Sequence, residues 1–539
     1  MPQSEENSFT IFTCPATTDA GMSRLLLFPR RSPQVLLTAA IAAISFAHPA
    51  AGDDTFRNAY GRLFKPFAEV AQSSVPVRII PDPLRRWNQI AIDASGLDHT
   101  PVAEGEVRTF GEQLGPGRAS RAMAIVHIAM ADVVSATTGA FSSYTGVTST
   151  AGSRVSQEAA ISQAAHDTLV ALFPSQTAKF NEALAIDLLG LRESDRAVTE
   201  GLKLGRRVAI AIITQRAGDG VLTPEPHVGI GHLTSNLPGR WRKDPISLIP
   251  LALGGHWGEC VPFVIGAPSD FRTPPPPAMS SAEYTAAFNE VKKVGGDGIN
   301  TPTKRTPEQT FVGTFWAYDG TPSLCAPPRL YNQIVMQIAG QQRLNRTDLA
   351  RLLALVNVAM ADTGYAAWES KYHWDFWRPV GGVREADPGT GPTGAGDGNP
   401  DTIGDVTFMP LGAPASNLMG PNFTPPFPAY PSGHAAFGGA LFQTLRQFFG
   451  TDEIPFLFVS DEYNGVTRDN AGNVRPYLPR LFLRLSQAEE ENGQSRIYLG
   501  IHWVFDKTAG IAQGRQIADY VFRRAFVVPR TADVLRESR

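Results

Sequence analysis

The sequence predicts an all-α protein: two helical bundles of the four-helix type, related by internal duplication and joined by long ordered loops. Three observations predict it. Apolar residues recur at helical spacing, as in Ala122, Ile125, Ala129 and Val133. Alternating β-branched runs are rare. One nine-residue phrase also occurs twice: Ala124-Ile-Val-His-Ile-Ala-Met-Ala-Asp132 matches Ala354-Leu-Val-Asn-Val-Ala-Met-Ala-Asp362 at six positions, and conservatively at two more.

The 539 residues suffice for two or three ordinary domains or one large two-lobed one. With 43% hydrophobic and 18% charged residues the chain can bury a substantial core. A net charge of −3 excludes a basic surface of the kind that holds nucleic acid. The cysteines Cys14, Cys260 and Cys325 are too few for a disulfide framework and lack zinc-site spacing; one Cys260–Cys325 disulfide stays open.

Residues 1–51 read as an export leader. Arg24, Arg30 and Arg31 precede the apolar run VLLTAAIAAISFA at 35–47, and Ser45-Phe-Ala47 offers a small-x-small cleavage site, with Ala51 as an alternative. Met22 is a better-placed start than Met1, since it brings the basic residues to the front. The mature protein is therefore expected to be secreted or periplasmic. No later run approaches the ~20 apolar residues that span a bilayer, so stable membrane insertion is not expected.

Residues 52–280 form a first lobe. Its stretch 53–109 is irregular; helices are expected over 117–135, 156–172, 175–191 and 193–216, with Pro174 separating the middle pair. The Pro- and Gly-rich stretch 221–280, which carries Trp241, His256 and Trp257, reads as an ordered loop. The second lobe, 281–539, should hold the chemistry. Helices are expected over 281–294, 329–342, 347–368, 434–449, 486–492 with a following segment, and 502–526. The stretch 381–424 reads as a long surface loop.

Three segments of this lobe carry unusual side chains. Lys371 and Arg378 lie seven apart, about two helical turns, and can point into one pocket. Ser432, in Pro431-Ser432-Gly433-His434, is a candidate N-cap, and the free N–H groups at such a helix start attract anions. His502 and Asp506 share a helical face, so Asp506 can accept from one imidazole nitrogen and leave the other as a basic lone pair. Arg496 precedes them by six residues. Taken singly, these are a helix cap, a surface pair and solvated charges. Together they offer three cations, a hydroxyl, a backbone N–H and two imidazoles, with almost no carboxylate for a cation. That set suits a bound tetrahedral oxyanion.

The ordered combination Lys371-x6-Arg378-Pro, Pro431-Ser-Gly-His434 and Ser495-Arg496-x5-His502-x3-Asp506 resembles the signature shared by vanadium-dependent haloperoxidases and type 2 phosphatidic acid phosphatases. The runs Pro425-Pro-Phe-Pro-Ala-Tyr-Pro-Ser-Gly-His434, Phe315-Trp-Ala-Tyr-Asp319-Gly, Pro328-Arg-Leu-Tyr-Asn-Gln and Trp368-x-x-Lys371 are similar to fungal vanadium chloroperoxidases. Gly239-Arg-Trp241 through His256-Trp257 is similar to bacterial vanadium haloperoxidases.

The resemblance, which covers roughly residues 115–525, implies that vanadate is the cofactor, with phosphate able to occupy the same site. It implies that Lys371, Arg378, Ser432, the N–H of Gly433, His434 and Arg496 surround the oxyanion, and that His502 bonds the metal. His434 would move a proton, Asp506 would orient His502, and Asp319 would pair with Arg496. Phe427 and Trp368 would wall a halide pocket; in that family a Phe at this position accompanies chloroperoxidases and a His is usual in algal bromoperoxidases. Hydrogen peroxide, chloride or bromide and a small organic acceptor are the implied partners, and a homo-oligomer is compatible with the sequence. The other histidines, His127, His166, His232, His256 and His373, fall on no motif position and read as structural.

Two other readings use the same residues. In a soluble acid phosphatase, His502 would attack phosphorus and His434 would protonate the leaving alkoxide. A non-catalytic oxyanion-binding helical protein would need neither His434 nor the His502–Asp506 pair.

Overall fold

A computed structural model describes residues 52–67, 82–149 and 155–529. The expected leader, with Cys14 and its cleavage sites, lies outside them. Among the described residues the helices are α1 (Gly52–Tyr60), α2 (Pro83–Asp98), α3 (Gly115–Thr138), α4 (Gln157–Leu172), α5 (Thr177–Leu189), α6 (Asp195–Gln215), α7 (Ala282–Val294) and α8 (Pro307–Phe315). They continue as α9 (Pro327–Gln341), α10 (Arg346–Trp374), α11 (Pro379–Arg384), α12 (Gly433–Phe449), α13 (Leu485–Tyr498) and α14 (Val504–Arg524). The fold is mostly helical, as the periodicity predicts.

The repeated phrase occupies equivalent places in α3 and α10, which pack against each other at the centre of the molecule. Asp132 accepts from the N–H groups of Tyr144 and Thr145, and Asp362 from those of Phe263, Val264 and Ile265. Each carboxylate thus pins a loop to its helix. His127 bonds the Met123 carbonyl and Asn88 of α2; Asn357, its counterpart, bonds the Leu353 carbonyl and Asn332 of α9.

The echo extends beyond the phrase. Ser156 caps α4 and its N–H donates to the Ala197 carbonyl of α6; Ser432 caps α12 and its N–H donates to the Asp506 carbonyl of α14, both at 3.0 Å. Glycines allow both crossings. A Cβ on Gly201 or Gly205 would lie 2.4 Å from the Ser156 or Ala160 carbonyl oxygen, and one on Gly510 or Gly514 would lie 2.6 or 2.0 Å from that of Ser432 or Ala436. Duplication therefore shows in the contacts as well as in the letters.

Several local expectations need correction. The stretch 53–109, expected to be irregular, holds two helices among its described residues, α1 and the sixteen-residue α2. Helix α8 also went unforeseen. The stretch 381–424 is not a long surface loop: its first residues belong to α11, and Phe408, Ala413, Ala415 and Leu418 are buried within the rest. An antiparallel hairpin, β3 (Phe456–Asn464) with β4 (Tyr477–Phe482), alternates buried Phe456, Phe458, Ser460 and Glu462 with outward residues. A two-residue pair, β1 (Lys65–Pro66) with β2 (Leu418–Met419), ties the first segment to that loop. By length and hydropathy α3 does qualify to cross a bilayer, contrary to the expectation that no such run exists, yet it is buried against its neighbours. Cys260 and Cys325 are both free and buried, so the disulfide left open by the sequence is absent from the structure.

The α12–α14 crossing sets the positions of Ser432, Gly433, His434 and Asp506. Gly514→Val should therefore destabilise the protein by about 3 kcal/mol, since the added side chain meets backbone that cannot swing aside. Denaturant unfolding would measure this; an unchanged midpoint would show that the crossing tolerates separation.

Candidate active site

Helix α10 delivers Trp368 and Lys371 from its last turns and ends where Asp375 takes the left-handed conformation (φ 51°). The chain reverses there, and Arg378 becomes the N-cap of α11. Lys371 and Arg378 converge through this reversal, not through the shared helical face expected from their spacing. Helix α12 starts behind Ser432, whose hydroxyl accepts from the Ala435 N–H at 3.4 Å. The first-turn N–H groups of α12, that of Gly433 included, have no carbonyl of their own helix to bond. Arg496 comes from the last turn of α13.

His502 lies ahead of α14, which begins at Val504, so the expected common helix face for His502 and Asp506 is also incorrect. Asp506 instead folds back over the helix start. Its Oδ2 accepts from the Trp503 N–H at 3.0 Å and from His502 Nδ1 at 2.7 Å. Arg378 Nη1 approaches His502 Nε2 at 2.9 Å. A guanidinium can only donate, so Nε2 is the lone-pair nitrogen and Nδ1 carries the proton.

The three cations differ in what they have left to give. Lys371 spends its donors on the carbonyls of Pro428, Ala429 and Pro431. Arg378 bonds the carbonyls of Phe427 and Ile501 through Nε and Nη1, while Nη2 has no partner. Arg496 donates through Nη2 to Asp319 Oδ1 at 2.5 Å, while Nε and Nη1 have none. Three buried guanidinium nitrogens are therefore unpaired. Lys371 contributes charge and, through these three bonds, braces the 428–431 turn.

Electrostatics reports the same crowding. Burial, then Arg378, depresses the Lys371 ammonium well below its usual value. Burial with the nearby Arg496, Lys371 and Arg378 depresses both His434 and His502. Arg378 itself falls to about 9, chiefly through burial. The carboxyls move the opposite way: burial raises Asp319, and raises Asp506 to about 7. Buried positive groups without matching anions disfavour one another's charge, and a multiply charged oxyanion would reverse that penalty. Among the described residues no group of three or more His, Cys, Asp or Glu is placed to hold a metal cation.

Arg496, Asp319, Gly433, His434 and His502 line one cavity. Phe427 and Trp368 face it too, their ring centroids 4.9 Å apart, and the Phe427 ring lies 5.1 Å from Lys371 Nζ and 5.0 Å from the Arg378 guanidinium. His434 Nε2 bonds the Ala317 carbonyl. The sequence reading missed Tyr60 of α1, His99, Tyr318 and Phe437, which also line the cavity. Tyr318 was within reach, being next to the motif residue Asp319; nothing in the letters around Tyr60 or His99 signals a site. His127, His166, His232, His256 and His373 are not on the lining.

Residues 351–529 match the family model described as the VCPO second helical-bundle domain. A vanadium chloroperoxidase from Curvularia inaequalis is 38% identical over 328 residues, 50% of this chain and 52% of that protein, so the chain spans about half the length of that relative. A bacterial vanadium-dependent iodoperoxidase superimposes with a TM-score of 0.64 at 22% identity, covering 83% of this chain and 98% of the other. An apo-type bacterial vanadium-dependent chloroperoxidase gives 0.55 at 18%, covering 76% and 94%. These two likenesses establish the helical fold.

The depressed His434 sets a pH dependence. An unfolded chain takes up a proton there near pH 6.5, whereas the folded protein resists it, so the folded state loses stability as pH falls below that value. In oxyanion-free buffer, His434→Gln should gain on the parent by up to ~1.4 kcal/mol per unit below about pH 6.5. Parallel unfolding midpoints of the two proteins across that range would refute the depression.

Proposed function

We propose that this chain, which carries a VCPO second helical-bundle domain over residues 351–529, is a vanadium-dependent haloperoxidase that oxidises chloride or bromide with hydrogen peroxide to hypohalous acid. One observation carries the reading: Arg496, with Nε and Nη1 unpaired, and His502 line one cavity, and Arg378, with Nη2 unpaired, reaches His502 Nε2 through Nη1. Such donors fit a tetrahedral oxyanion with a single imidazole ligand, and they fit vanadate. The 38% identity to the Curvularia enzyme supports the same choice; no feature of the site favours a phosphatase or a merely binding protein.

Arg378, Arg496, the Ser432 hydroxyl and the Gly433 N–H would hold the oxyanion, and His502 Nε2 would bond the metal. Bound vanadate supplies a V(V) Lewis acid that makes peroxide electrophilic toward halide. Asp506 keeps the His502 proton on Nδ1, so that Nε2 always faces the oxyanion as a base. Lys371 raises the local positive potential from behind the turn it braces. With Nε2 tied to Ala317, His434 has Nδ1 left to accept a proton from incoming peroxide and return it, as a general acid/base. Phe427 and Trp368 offer an apolar wall against which a halide sheds water.

Export is part of this proposal, supported by the basic and apolar pattern at 24–47. A small organic acceptor for the hypohalous acid is also part of it.

Three measurements test the reading. Purified protein loaded with vanadate should halogenate monochlorodimedone with peroxide and halide; p-nitrophenyl phosphate turnover that vanadate only inhibits would replace it with the phosphatase. His502→Ala should lose tight vanadate retention, while His434→Ala should keep vanadate and slow turnover by about 10²–10⁴-fold; equal retention and full activity in both would remove the assigned roles. Phe427→His should shift preference from chloride toward bromide, and an unchanged ratio would discard the halide wall.

A further inference from the structure

The cavity has two unlike ends. Arg496, Asp319, His434 and His502 make one. The other is apolar: Ala59, Ile249, Leu251 and Phe423 belong to one packed cluster, Pro425 lines it too, and Tyr60 of α1 joins this cluster to the polar side, where its hydroxyl reaches the Gly320 carbonyl beside Asp319. Polar side chains do border this end, yet each is already bonded within the protein. Tyr60 donates to the Gly320 carbonyl, and Trp368 Nε1 to that of Leu253 at 3.0 Å. His99 Nδ1 bonds the Ser95 carbonyl at 2.8 Å, and its Nε2 accepts from the Gly115 N–H at 2.9 Å. Tyr318 donates to Gln333 at 3.0 Å. Among the cavity's described side chains, the unpaired buried polar atoms are Nε and Nη1 of Arg496 and Oδ2 of Asp319, all at the polar end.

A halide and a peroxide need only the polar end. A chamber that is apolar and offers no free donor or acceptor repels water and ions and gives a neutral ring a favourable place. Resting on the function proposed above, we infer that the apolar end binds a neutral, electron-rich aromatic acceptor, and that halogen passes to it inside the cavity instead of after release to solvent.

The step balances. Halide, peroxide and one proton give hypohalous acid and water. A ring carbon then forms a bond to halogen as the O–X bond breaks, the ring loses a proton, and the departing hydroxide takes a proton to become a second water. A ring held in one orientation presents some carbons to the polar corner and hides others, so product ratios should differ from those of free reagent.

Anisole, which is neutral and apolar, is the probe. Vanadate-loaded full chain, peroxide and halide should yield a para-to-ortho ratio about three-fold or more from that given by free hypohalous acid in the same buffer. Excess monochlorodimedone, which scavenges diffusing reagent, should spare most of the ring halogenation. Ile249→Trp, which fills the apolar end, should return the ratio to the free-reagent value and make the reaction sensitive to the scavenger. A wild-type ratio equal to that of free reagent, with complete suppression by the scavenger, would overturn the inference while leaving halide oxidation intact. Absence of any peroxide-dependent halide oxidation would instead fail the function on which it rests. The wild-type arms decide the matter even if Ile249→Trp does not fold.

Discussion

Three cations and two imidazoles are buried together, and among the described residues Asp319 and Asp506 are the carboxylates that bond them, with Asp244 acting on Arg378 from farther off. Leaving charges out of water and unpaired is among the costliest arrangements a fold can hold, so the surroundings must be rigid enough to stop the cluster from dispersing. The structure meets that demand with backbone. Lys371 is anchored on the carbonyls of 428, 429 and 431, and Arg378 on those of 427 and 501. The turn before α12 and the turn before α14 are thereby fixed to the end of α10. What the arrangement lacks is negative charge, which a multiply charged oxyanion would provide.

Duplication explains how such a frame could exist without being built for the site alone. The first bundle repeats the capping serine, the paired glycines and the loop-pinning aspartate of the second, with Ala197 standing where the second has Asp506. At the position of His434, two residues past the capping serine, the first bundle has Glu158. Packing is shared and chemistry is not. Close helix crossing and loop pinning are therefore properties of the scaffold, onto which the cationic residues of the second bundle are added.

How much was legible depended on whether the signal was local. Helical periods foretold α3, α4, α6, α9, α10, α12 and α14 to within a few residues, because each buries an apolar stripe over several turns. Helices α1 and α2, and the β3–β4 hairpin, were missed; α1 and the strands are short and draw their order from contacts far away in the chain, such as the seating of Phe56 and Tyr60 against Phe110. Of the residues singled out for the site, Asp319, Gly433, His434, Arg496, His502, Phe427 and Trp368 line one cavity, while two geometric reasons for the neighbouring contacts differ from those read off the spacing. Lys371 joins Arg378 across a left-handed residue, and His502 meets Asp506 ahead of a helix. Spacing alone cannot distinguish a helical face from a chain reversal.

By itself the sequence determined the bundle architecture and its duplication, through period and repetition, and which residues could cradle an oxyanion, through the chemistry of their side chains. Tertiary structure alone decided which donors remain free: Lys371 is spent on carbonyls, whereas Arg378 and Arg496 keep unpaired nitrogens. It also decided that Tyr60, Ile249 and Phe423, distant in the chain, would close an apolar chamber against the polar corner. The physical reason is that hydrogen-bond satisfaction and cavity lining depend on neighbours brought in from far along the chain, and no local pattern records them.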